Sequence, residues 1–492
     1  MASIRKSLAI SLTERYLITG VQLVSTMVLA RLLSPHEIGV YSVATVFMGL
    51  IQAFRDMGVG QYLVQEAELT RDKIRTAAGA VLCTSWLLAP VVFFAAGPVA
   101  AFYREPGLAD VLHVLALNLL LIPFGATVQA FLHRHMRFTP LLVIRLGSTV
   151  VQVTTGIVLA WSGYGFMSLA WASVAGVLAT IVLVNFFRPP ELRVLPSFRR
   201  MGNVFRFGGK AISMTLLTEL STGLPEMIVG RTLGMEPVGI YNRARGPLRL
   251  FSRLFSGSIF AVGMPHFARL HRESRPLLAD YRRGAECVLG IAWPLFALMA
   301  LFALPMVGVL YGPQWRESAA LIPIMCLSAS IGMMLPLSHE LLIATGRVNR
   351  ALGQVALQTA LAAGVLVLAS PYGLMALVRA AVALAVVIVL WRYFLLRGWA
   401  LARGALPAMV ARGCGVTAAT AAGPLLVRLW LGPDPAQPLL ALALAGALAV
   451  PGWLIGIALT GHPLAHEVAR GAKRIAPRAP VAWMLRRVAA GG

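Results

Sequence analysis

Fourteen apolar segments, each about as long as a membrane-spanning helix, succeed one another along this chain of 492 residues. A helix needs about 20 mostly apolar residues to cross the hydrocarbon core of a bilayer. We therefore predict an all-α polytopic membrane protein with about 14 transmembrane helices. The predicted spans, numbered in chain order, are 9–31, 38–56, 76–101, 108–132, 141–162, 165–187, 207–231, 238–264, 285–310, 317–344, 351–370, 372–396, 406–430 and 437–460.

The composition excludes an ordinary soluble protein. Hydrophobic residues make up 58% of the chain and charged residues 13%, with a mean hydropathy of +0.77. Soluble domains carry about 25% charged residues, and a soluble protein this apolar would expose large patches that aggregate. The four cysteines lie in apolar runs without a CxxC pair, which is typical of small core residues.

The net charge is +24, and the basic residues are unevenly distributed between the two sides of the predicted membrane topology. With the N-terminus in the cytoplasm, the inner segments contain 32 of the 43 lysines and arginines, whereas the outer loops contain four. This bias follows the positive-inside rule. If span 8 lay on the membrane surface, thirteen spans would remain and every later loop would change sides, so the bias favours fourteen. We predict cytoplasmic N- and C-termini, basic loops facing membrane lipids, and no nucleic acid partner.

The chain repeats a motif at an offset of 200 residues. Residues 27–41 read MVLARLLSPHEIGVY, and residues 227–241 read MIVGRTLGMEPVGIY. Each copy covers the end of an odd-numbered span, a short outer loop and the start of the next span. An even number of spans separates the copies, so both have the same orientation. Repeats of this kind give two lobes around an axis along the membrane normal.

The repeat defines the predicted domain organisation. Spans 1–6 form an N-lobe and spans 7–12 a pseudo-symmetric C-lobe around a central cavity, and two C-terminal helices are additional. The predicted boundaries are 1–188 for the N-lobe, 189–206 for a cytoplasmic linker, 207–400 for the C-lobe, 401–460 for spans 13 and 14, and 461–492 for a basic cytoplasmic tail.

Span 8 carries four arginines, Arg243, Arg245, Arg249 and Arg253. The last three are spaced four residues apart and therefore share one helix face. An ionised side chain inside the bilayer costs about 2.5–3.5 kcal/mol on insertion scales and usually faces a cavity or a partner. One interpretation is a cationic wall that binds a diphosphate, because the planar guanidinium can bind two oxygens. The other is that Arg243 and Arg245 extend to the outer headgroups.

Ionisable residues also occur in spans 7 and 1. Glu219 and Glu226 lie seven residues apart on one face of span 7, where they fit either structural ion pairs or ion coupling. In span 1, Glu14 and Arg15 either pair near the inner interface or take part in transport. In the second case Arg15 would bind substrate and Glu14 would couple to an ion.

Motifs for catalysis and nucleotide binding are missing from the sequence. Gly208-Gly209-Lys210 lacks both the earlier glycine and the following Ser or Thr of a phosphate-binding loop, so we expect no internal ATPase motor. No GxSxG or HExxH motif occurs, and we predict no catalytic residue and no metal site. A membrane glycosyl polymerase or ligase would carry a large periplasmic loop, whereas the outer loops here are short. The sequence therefore favours a transporter over an enzyme.

Several stretches together resemble polysaccharide exporters of the multidrug/oligosaccharidyl-lipid/polysaccharide superfamily, the O-antigen and exopolysaccharide flippases. They are LARLLSPHEIGVYSVA (29–44), the turn at 56–58, GRTLGMEPVGIYNRARGPLRL (230–250), MPHFARL (264–270), LYGPQWRESAALIPIM (310–325) and ATGRVNR (344–350). The resemblance runs through most of residues 1–400, and the last hundred residues match mainly in hydropathy.

The resemblance implies a polyprenyl-diphosphate-linked oligosaccharide as substrate and a cavity that opens to one side of the membrane at a time. In such proteins cavity arginines bind the diphosphate, and the four arginines of span 8 together with Arg15 are the candidates here. The extra helices within 406–460 would line a groove for the lipid tail. The resemblance further implies a bacterial inner (plasma) membrane, no cofactor but a proton or sodium gradient, and the polysaccharide polymerase and export machinery as partners.

Two other transporters of the same fold remain alternatives, a peptidoglycan lipid-precursor flippase and a small-molecule or drug exporter. The stretches at 264–270 and 310–325 favour the polysaccharide branch, and the arginines of span 8 disfavour a cavity for cationic drugs. We therefore expect translocation of the lipid-linked oligosaccharide from the cytoplasmic to the periplasmic face by alternating access, for O-antigen, exopolysaccharide or capsule synthesis.

Overall fold

The computed structural model describes residues 2–56, 70–189, 192, 196–198, 201–397, 399, 401 and 404–475. Three predicted features fall wholly or largely outside these ranges: the turn at 56–58, the interior of the 189–206 linker, and the tail beyond residue 475. The contacts group the chain into two compact units, Met1–Asn242 and Arg243–Gly492.

The first unit contains eight helices and the start of a ninth among the described residues. They are α1 (Ala2–Leu32), α2 (Pro35–Asp56), α3 (Arg71–Tyr103), α4 (Gly107–Leu121), α5 (Pro123–Arg134), α6 (Phe138–Trp161), α7 (Met167–Phe186), α8 (Met201–Thr232) and α9 (Met235–Phe251).

The second unit begins within α9 and continues, in the described part of the chain, through ten more helices. They are α10 (Gly257–Arg272), α11 (Leu278–Leu301), α12 (Ala303–Leu310), α13 (Arg316–Gly332), α14 (Ser338–Ala344), α15 (Val348–Ala369), α16 (Leu374–Leu396), α17 (Ala405–Leu431), α18 (Pro438–Leu459) and α19 (Pro463–Ile475). A π-helical turn, Ser252–Ser256, joins α9 to α10.

Every predicted span coincides with one of these helices or with a broken pair. Within the described ranges, nine helices are individually long and apolar enough to cross a membrane. Helices α4 and α5, bent by 54°, make a tenth span if they are counted together. The other predicted spans, 1, 7, 8 and 10, carry ionisable side chains or a break in the helix. The predicted fold class, an all-α polytopic membrane protein, is confirmed.

Short sequence signals set where these helices begin and break. At the start of α2, Ser34 and Glu37 form a capping box. The main-chain N–H of Ser34 donates to Glu37 Oε2 at 2.7 Å, and the N–H of Glu37 donates to Ser34 Oγ at 3.3 Å. Pro123 is the first residue of α5, and its missing N–H and its ring explain the bend that separates α5 from α4.

Large apolar side chains project from the outside of both units. Phe94 and Phe186 in the first unit and Leu429 in the second are each more than 70% exposed. A helix that is apolar all round is typical of a bilayer, in which its backbone hydrogen bonds are satisfied internally and its side chains contact lipid.

In the first unit, α6 packs against α1 and α7, and α8 packs against α2 and α3. A core cluster joins α3, α5, α6 and α7 through Ile74, Val128, Leu141 and Val184. The packing of α8 places it in the same compact unit as the N-terminal helices, although the sequence assigns it to the C-lobe. The predicted lobe boundaries stay a prediction.

In the second unit, α11 packs against α17, α13 against α16, and α17 against α18. Helix α19 covers the end of this bundle, with Leu464, Ala465 and Ala469 packed against Val416 and Ile457. The first part of the predicted basic tail is therefore an amphipathic helix whose apolar face is buried against the protein.

Candidate functional site

The two copies of the internal repeat have the same local structure. In the first copy α1 ends at Leu32 and α2 begins at Pro35, and in the second α8 ends at Thr232 and α9 begins at Met235. Both boundaries recur 200 residues later. Each copy of the motif therefore forms the end of one long helix, a short turn and the start of the next helix.

The two repeated turns lie against each other through their glycines. A Cβ on Gly39 would lie 1.8 Å from the carbonyl oxygen of Met235, and a Cβ on Gly239 would lie 1.9 Å from the carbonyl oxygen of Pro35. The contact is reciprocal, because Pro35 and Met235 are themselves 200 residues apart. Only glycine lets the first turns of α2 and α9 approach this closely. We call this contact the glycine crossing.

The arginines of span 8 are divided by a change of helix type. Arg245 and Arg249 lie four residues apart in α9, share one face and are half-buried. Arg253 is exposed and lies in the π turn. A π turn has wider hydrogen-bonded loops than an α-helix, so it displaces Arg253 from the regular helical spacing, and such turns are frequent at functional sites.

Arg243 stacks on two aromatic rings. Its guanidinium carbon lies 5.4 Å from the ring centroid of Tyr311 and 5.3 Å from that of Trp315, within the range of cation–π contacts. Trp315 is fully buried. Both rings belong to the 310–325 stretch that supported the family resemblance. This geometry favours a packing role for Arg243, and its part in substrate binding stays a prediction.

The two glutamates of span 7 differ in burial. Glu226 is 3% exposed, and a carboxylate buried to this degree requires polar partners, which fits a structural ion pair. Glu219 is exposed, and its Oε2 lies 3.3 Å from the Cβ position of Gly49 in α2. Of the two, Glu219 is therefore the one that solvent or an ion can reach. Its proposed role in ion coupling stays a prediction.

Glu14 has a partner from another helix. Nη1 of Arg145 in α6 donates a hydrogen bond to Glu14 Oε1 at 3.0 Å, and Nη2 of Arg145 lies 3.1 Å from Nε2 of His133. The Glu14 side chain is 7% exposed and that of Arg145 is 43% exposed. The sequence offered only Arg15 as a neighbour for Glu14. The structure adds Arg145 as a second, partly accessible cation in the first unit.

Sequence reasoning missed Arg145 because its charge was counted with a basic inner segment at 133–145, although the predicted span 141–162 already contained the residue. Helix α6 begins at Phe138, three residues before the predicted span, so Arg145 lies about two turns inside the helix and not in the connecting segment. Pro140 is the signal that could have corrected the predicted start. Proline is tolerated in the first turn of a helix, where no intrahelical donor is required, so the helix start belongs before Pro140.

The architecture is similar to that of solved multi-pass membrane proteins. It is similar to a structure of the Lipid II flippase MurJ in an inward closed conformation, with a TM-score of 0.73 at 12% identity over 92% of this chain and 98% of that one. It is also similar to an inward-facing multidrug resistance MATE family transporter of the MOP superfamily, with a TM-score of 0.62 at 15% identity over 80% of this chain and 96% of the other. The class defined by this fold is a polytopic all-α membrane protein, which is the fold that both structures share.

A family model described as "Polysaccharide biosynthesis protein" matches residues 28–320, and the chain belongs to this family. The match includes the glycine crossing and the arginines of span 8. The chain is 25% identical to teichuronic acid biosynthesis protein TuaB of Bacillus subtilis (strain 168), over 68% of this chain and 70% of that protein. Identity is 24% to lipopolysaccharide biosynthesis protein WzxC of Escherichia coli (strain K12), over 68% of each, and 25% to succinoglycan biosynthesis transport protein ExoT of Rhizobium meliloti (strain 1021), over 63% of each.

Proposed function

We propose that this protein translocates a polyprenyl-diphosphate-linked oligosaccharide from the cytoplasmic to the periplasmic face of the bacterial inner membrane. The translocated unit feeds the synthesis of a surface polysaccharide such as O-antigen, exopolysaccharide or capsule. The protein acts as a transporter, by alternating access of one substrate site to the two faces of the membrane.

Family and fold support this proposal from two directions. The relatives are named for the biosynthesis of teichuronic acid, lipopolysaccharide and succinoglycan, and one is named a transport protein. The similar structure is named a Lipid II flippase. A saccharide carried on a lipid is the substrate that joins polysaccharide synthesis to a flippase fold.

The arginines at the junction of α9 and the π turn carry the proposal at the level of residues. Arg249 is half-buried and Arg253 is exposed, and both lie near the middle of predicted span 8. A diphosphate offers pairs of anionic oxygens, which guanidinium binds through two parallel N–H···O bonds. Arg245 extends this row, and Arg15 adds a further cation from α1. Arg243 completes the set predicted from the sequence, with the aromatic stacking described above.

Topology and energy source are parts of the same proposal. The positive-inside bias supports cytoplasmic N- and C-termini in the inner membrane. We propose a proton or sodium gradient as the driving force in place of a bound cofactor, with Glu219, Glu226 and Glu14 as the candidate coupling groups. The polysaccharide polymerase and export machinery would receive the translocated unit.

Deletion of the gene in its host, followed by mass spectrometry of lipid extracts, tests the proposal. We expect completed oligosaccharide units on polyprenyl diphosphate to accumulate on the cytoplasmic side, with loss of surface polysaccharide and recovery of both by the wild-type gene. A normal lipid pool and intact polysaccharide, in a strain from which every related transporter has also been deleted, would contradict it.

One alternative rests on a specific observation, the similarity to the Lipid II flippase over 92% of this chain. The same deletion strain separates the two substrates. Accumulation of the peptidoglycan lipid precursor with cell lysis would support the alternative. Accumulation of a longer oligosaccharide in cells with intact walls supports our proposal.

A further inference from the structure

The second unit contains a cavity of about 610 Å³ that plays no part in the proposed transport site. It lies between α10, α11 and α19, with Leu337 from the turn before α14. Its volume falls in the range of about 300–1,000 Å³ that is usual for small-ligand sites.

The lining of this cavity changes from charged to apolar along α11. Asp280 and Arg283 lie in the first two turns of α11. The apolar lining residues Cys287, Val288 and Ile291 follow further along the same helix. At 1.5 Å per residue, Ile291 lies about 12 Å deeper than Arg283. The order of polarity is that of a lipid, with a headgroup above and an acyl chain below.

The charged end of the cavity contains two guanidinium groups, two carboxylates and one imidazole. Nη2 of Arg283 lies 3.3 Å from Oε1 of Glu467, and Nη2 of Arg470 lies 2.8 Å from the same oxygen. In a second pair that lines the cavity, Nε2 of His266 lies 3.2 Å from Oδ1 of Asp280. All five side chains are between about one third and two thirds exposed, so a ligand can reach them. Two guanidinium groups suit a phosphate, and two carboxylates suit a primary ammonium.

We propose that this cavity binds one phospholipid with a phosphoethanolamine-type headgroup, its phosphate at Arg283 and Arg470 and its ammonium at Asp280 and Glu467. The upper part of an acyl chain lies along Cys287, Val288 and Ile291. A purely anionic lipid would bring its charge against both carboxylates without an ammonium to satisfy them. A choline headgroup carries the charge but has no N–H to donate.

The lipid would join α19 to the bundle. Glu467 and Arg470 belong to α19, whose apolar residues already pack on α17 and α18. Arg283 belongs to α11 and already pairs with Glu467, so a headgroup that contacts Arg283 and α19 together would extend this polar link beside the apolar packing. The inference is independent of the transported substrate.

Native mass spectrometry of the intact protein in detergent tests the proposal, with titration of phosphatidylethanolamine, phosphatidylcholine and phosphatidylglycerol that have identical acyl chains. We expect phosphatidylethanolamine to bind about tenfold more tightly than the other two, the effect of one or two charge-assisted hydrogen bonds. Glu467→Gln should abolish this preference, and Arg283→Gln should weaken binding of every phosphate-containing lipid. The control variants are Arg316→Gln and Asp434→Asn, which remove an exposed ion pair outside the cavity.

A second measurement locates the bound lipid in the wild-type protein, so it remains informative even if a substitution detaches α19 from the bundle. Alkylation of Cys287 by a membrane-permeant maleimide should slow in nanodiscs that contain phosphatidylethanolamine, relative to phosphatidylcholine nanodiscs, while alkylation of Cys414 stays constant. Equal affinity for the three lipids would overturn the proposal, and so would a preference that survives Glu467→Gln. Protection of Cys287 by a polyprenyl diphosphate but not by phosphatidylethanolamine would reassign the cavity to the substrate and overturn it as well.

Discussion

At the scale of single residues, the arginines of this protein differ in burial and in the side chains that they contact. Arg243 stacks on Tyr311 and Trp315, whereas Arg249 is half-buried and Arg253 exposed. Arg145 holds the buried Glu14 and is itself 43% exposed. Substitutions should separate these roles, because a packing residue affects stability and a ligand-binding residue affects transport.

For the transport role, Arg249→Gln and Arg253→Gln should each reduce complementation of the deletion strain by at least about tenfold, the effect of one lost charge-assisted contact. Both variants should insert into the membrane at wild-type levels. Quantified surface polysaccharide gives the measurement, and Arg316→Gln is the matched control, since Arg316 pairs with Asp434 at an exposed site. Full export by both variants would remove these arginines from the substrate site.

For the packing role, a double-mutant cycle on Glu14→Gln and Arg145→Gln should give a coupling free energy of about 1 kcal/mol, since one partner is partly exposed. The cycle is measured by thermal unfolding of the purified protein in detergent. Additive effects of the two substitutions would show that the 3.0 Å contact contributes nothing to stability.

At the scale of elements, the repeated turns of α1–α2 and α8–α9 determine how closely two helices approach. The glycine crossing depends on two positions where a Cβ would overlap a carbonyl oxygen. The sequence predicted the repeat and its place in the map, because matching residues recur at a fixed offset. It did not predict that the two glycines touch main-chain atoms of the other copy, because that is a property of the packed pair.

Gly39→Ala and Gly239→Ala should therefore each force α2 and α9 apart, at a cost of about 1–3 kcal/mol as for other overpacked sites. We expect a lower thermal midpoint and impaired transport. Gly20→Ala is the control, since a Cβ there meets nothing within 4 Å and alanine is favoured over glycine inside a helix by about 0.5–1 kcal/mol. Equal midpoints for Gly39→Ala and Gly20→Ala would contradict the crossing.

Helix α19 should detach more readily in acid. Burial lowers the pKa of His462, in the turn before α19, with Glu286 of α11 raising it and Arg412 of α17 lowering it further. His462 Nδ1 accepts a hydrogen bond from the N–H of Leu464 at 3.2 Å, which requires an unprotonated nitrogen. The unfolded state therefore binds more protons, so stability is complete above a pH of about 6.5 and falls as the pH drops below it.

Thermal unfolding of wild type and His462→Gln at pH 7.5 and 5.5 measures this effect. The wild-type midpoint should fall more between the two pH values than that of the variant, because glutamine does not titrate. Parallel pH dependence in the two proteins would show that His462 is not responsible.

At the scale of the whole molecule, most of the architecture could be predicted because each span is a local property of about 20 residues in an apolar solvent. The prediction was weakest for features that depend on contacts between helices, such as side-chain partners and buried helix faces. The sequence did not pair Arg145 of α6 with Glu14 of α1, because the two residues lie 131 positions apart, and the even spacing of the span 8 arginines gave no sign of a π turn. The sequence assigned the residues of α19 to a basic cytoplasmic tail, because the apolar face of this helix becomes evident only against α17 and α18.

Reconstituted translocation tests the central claim most directly. Purified protein in liposomes would carry a polyprenyl-diphosphate oligosaccharide with a fluorescent sugar, and an impermeant quencher would report its appearance on the opposite face under a proton or sodium gradient. We predict protein-dependent translocation that is lost in the Arg249→Gln, Arg253→Gln double variant and retained in Arg316→Gln. Translocation no faster than in protein-free liposomes under both gradients would contradict the account.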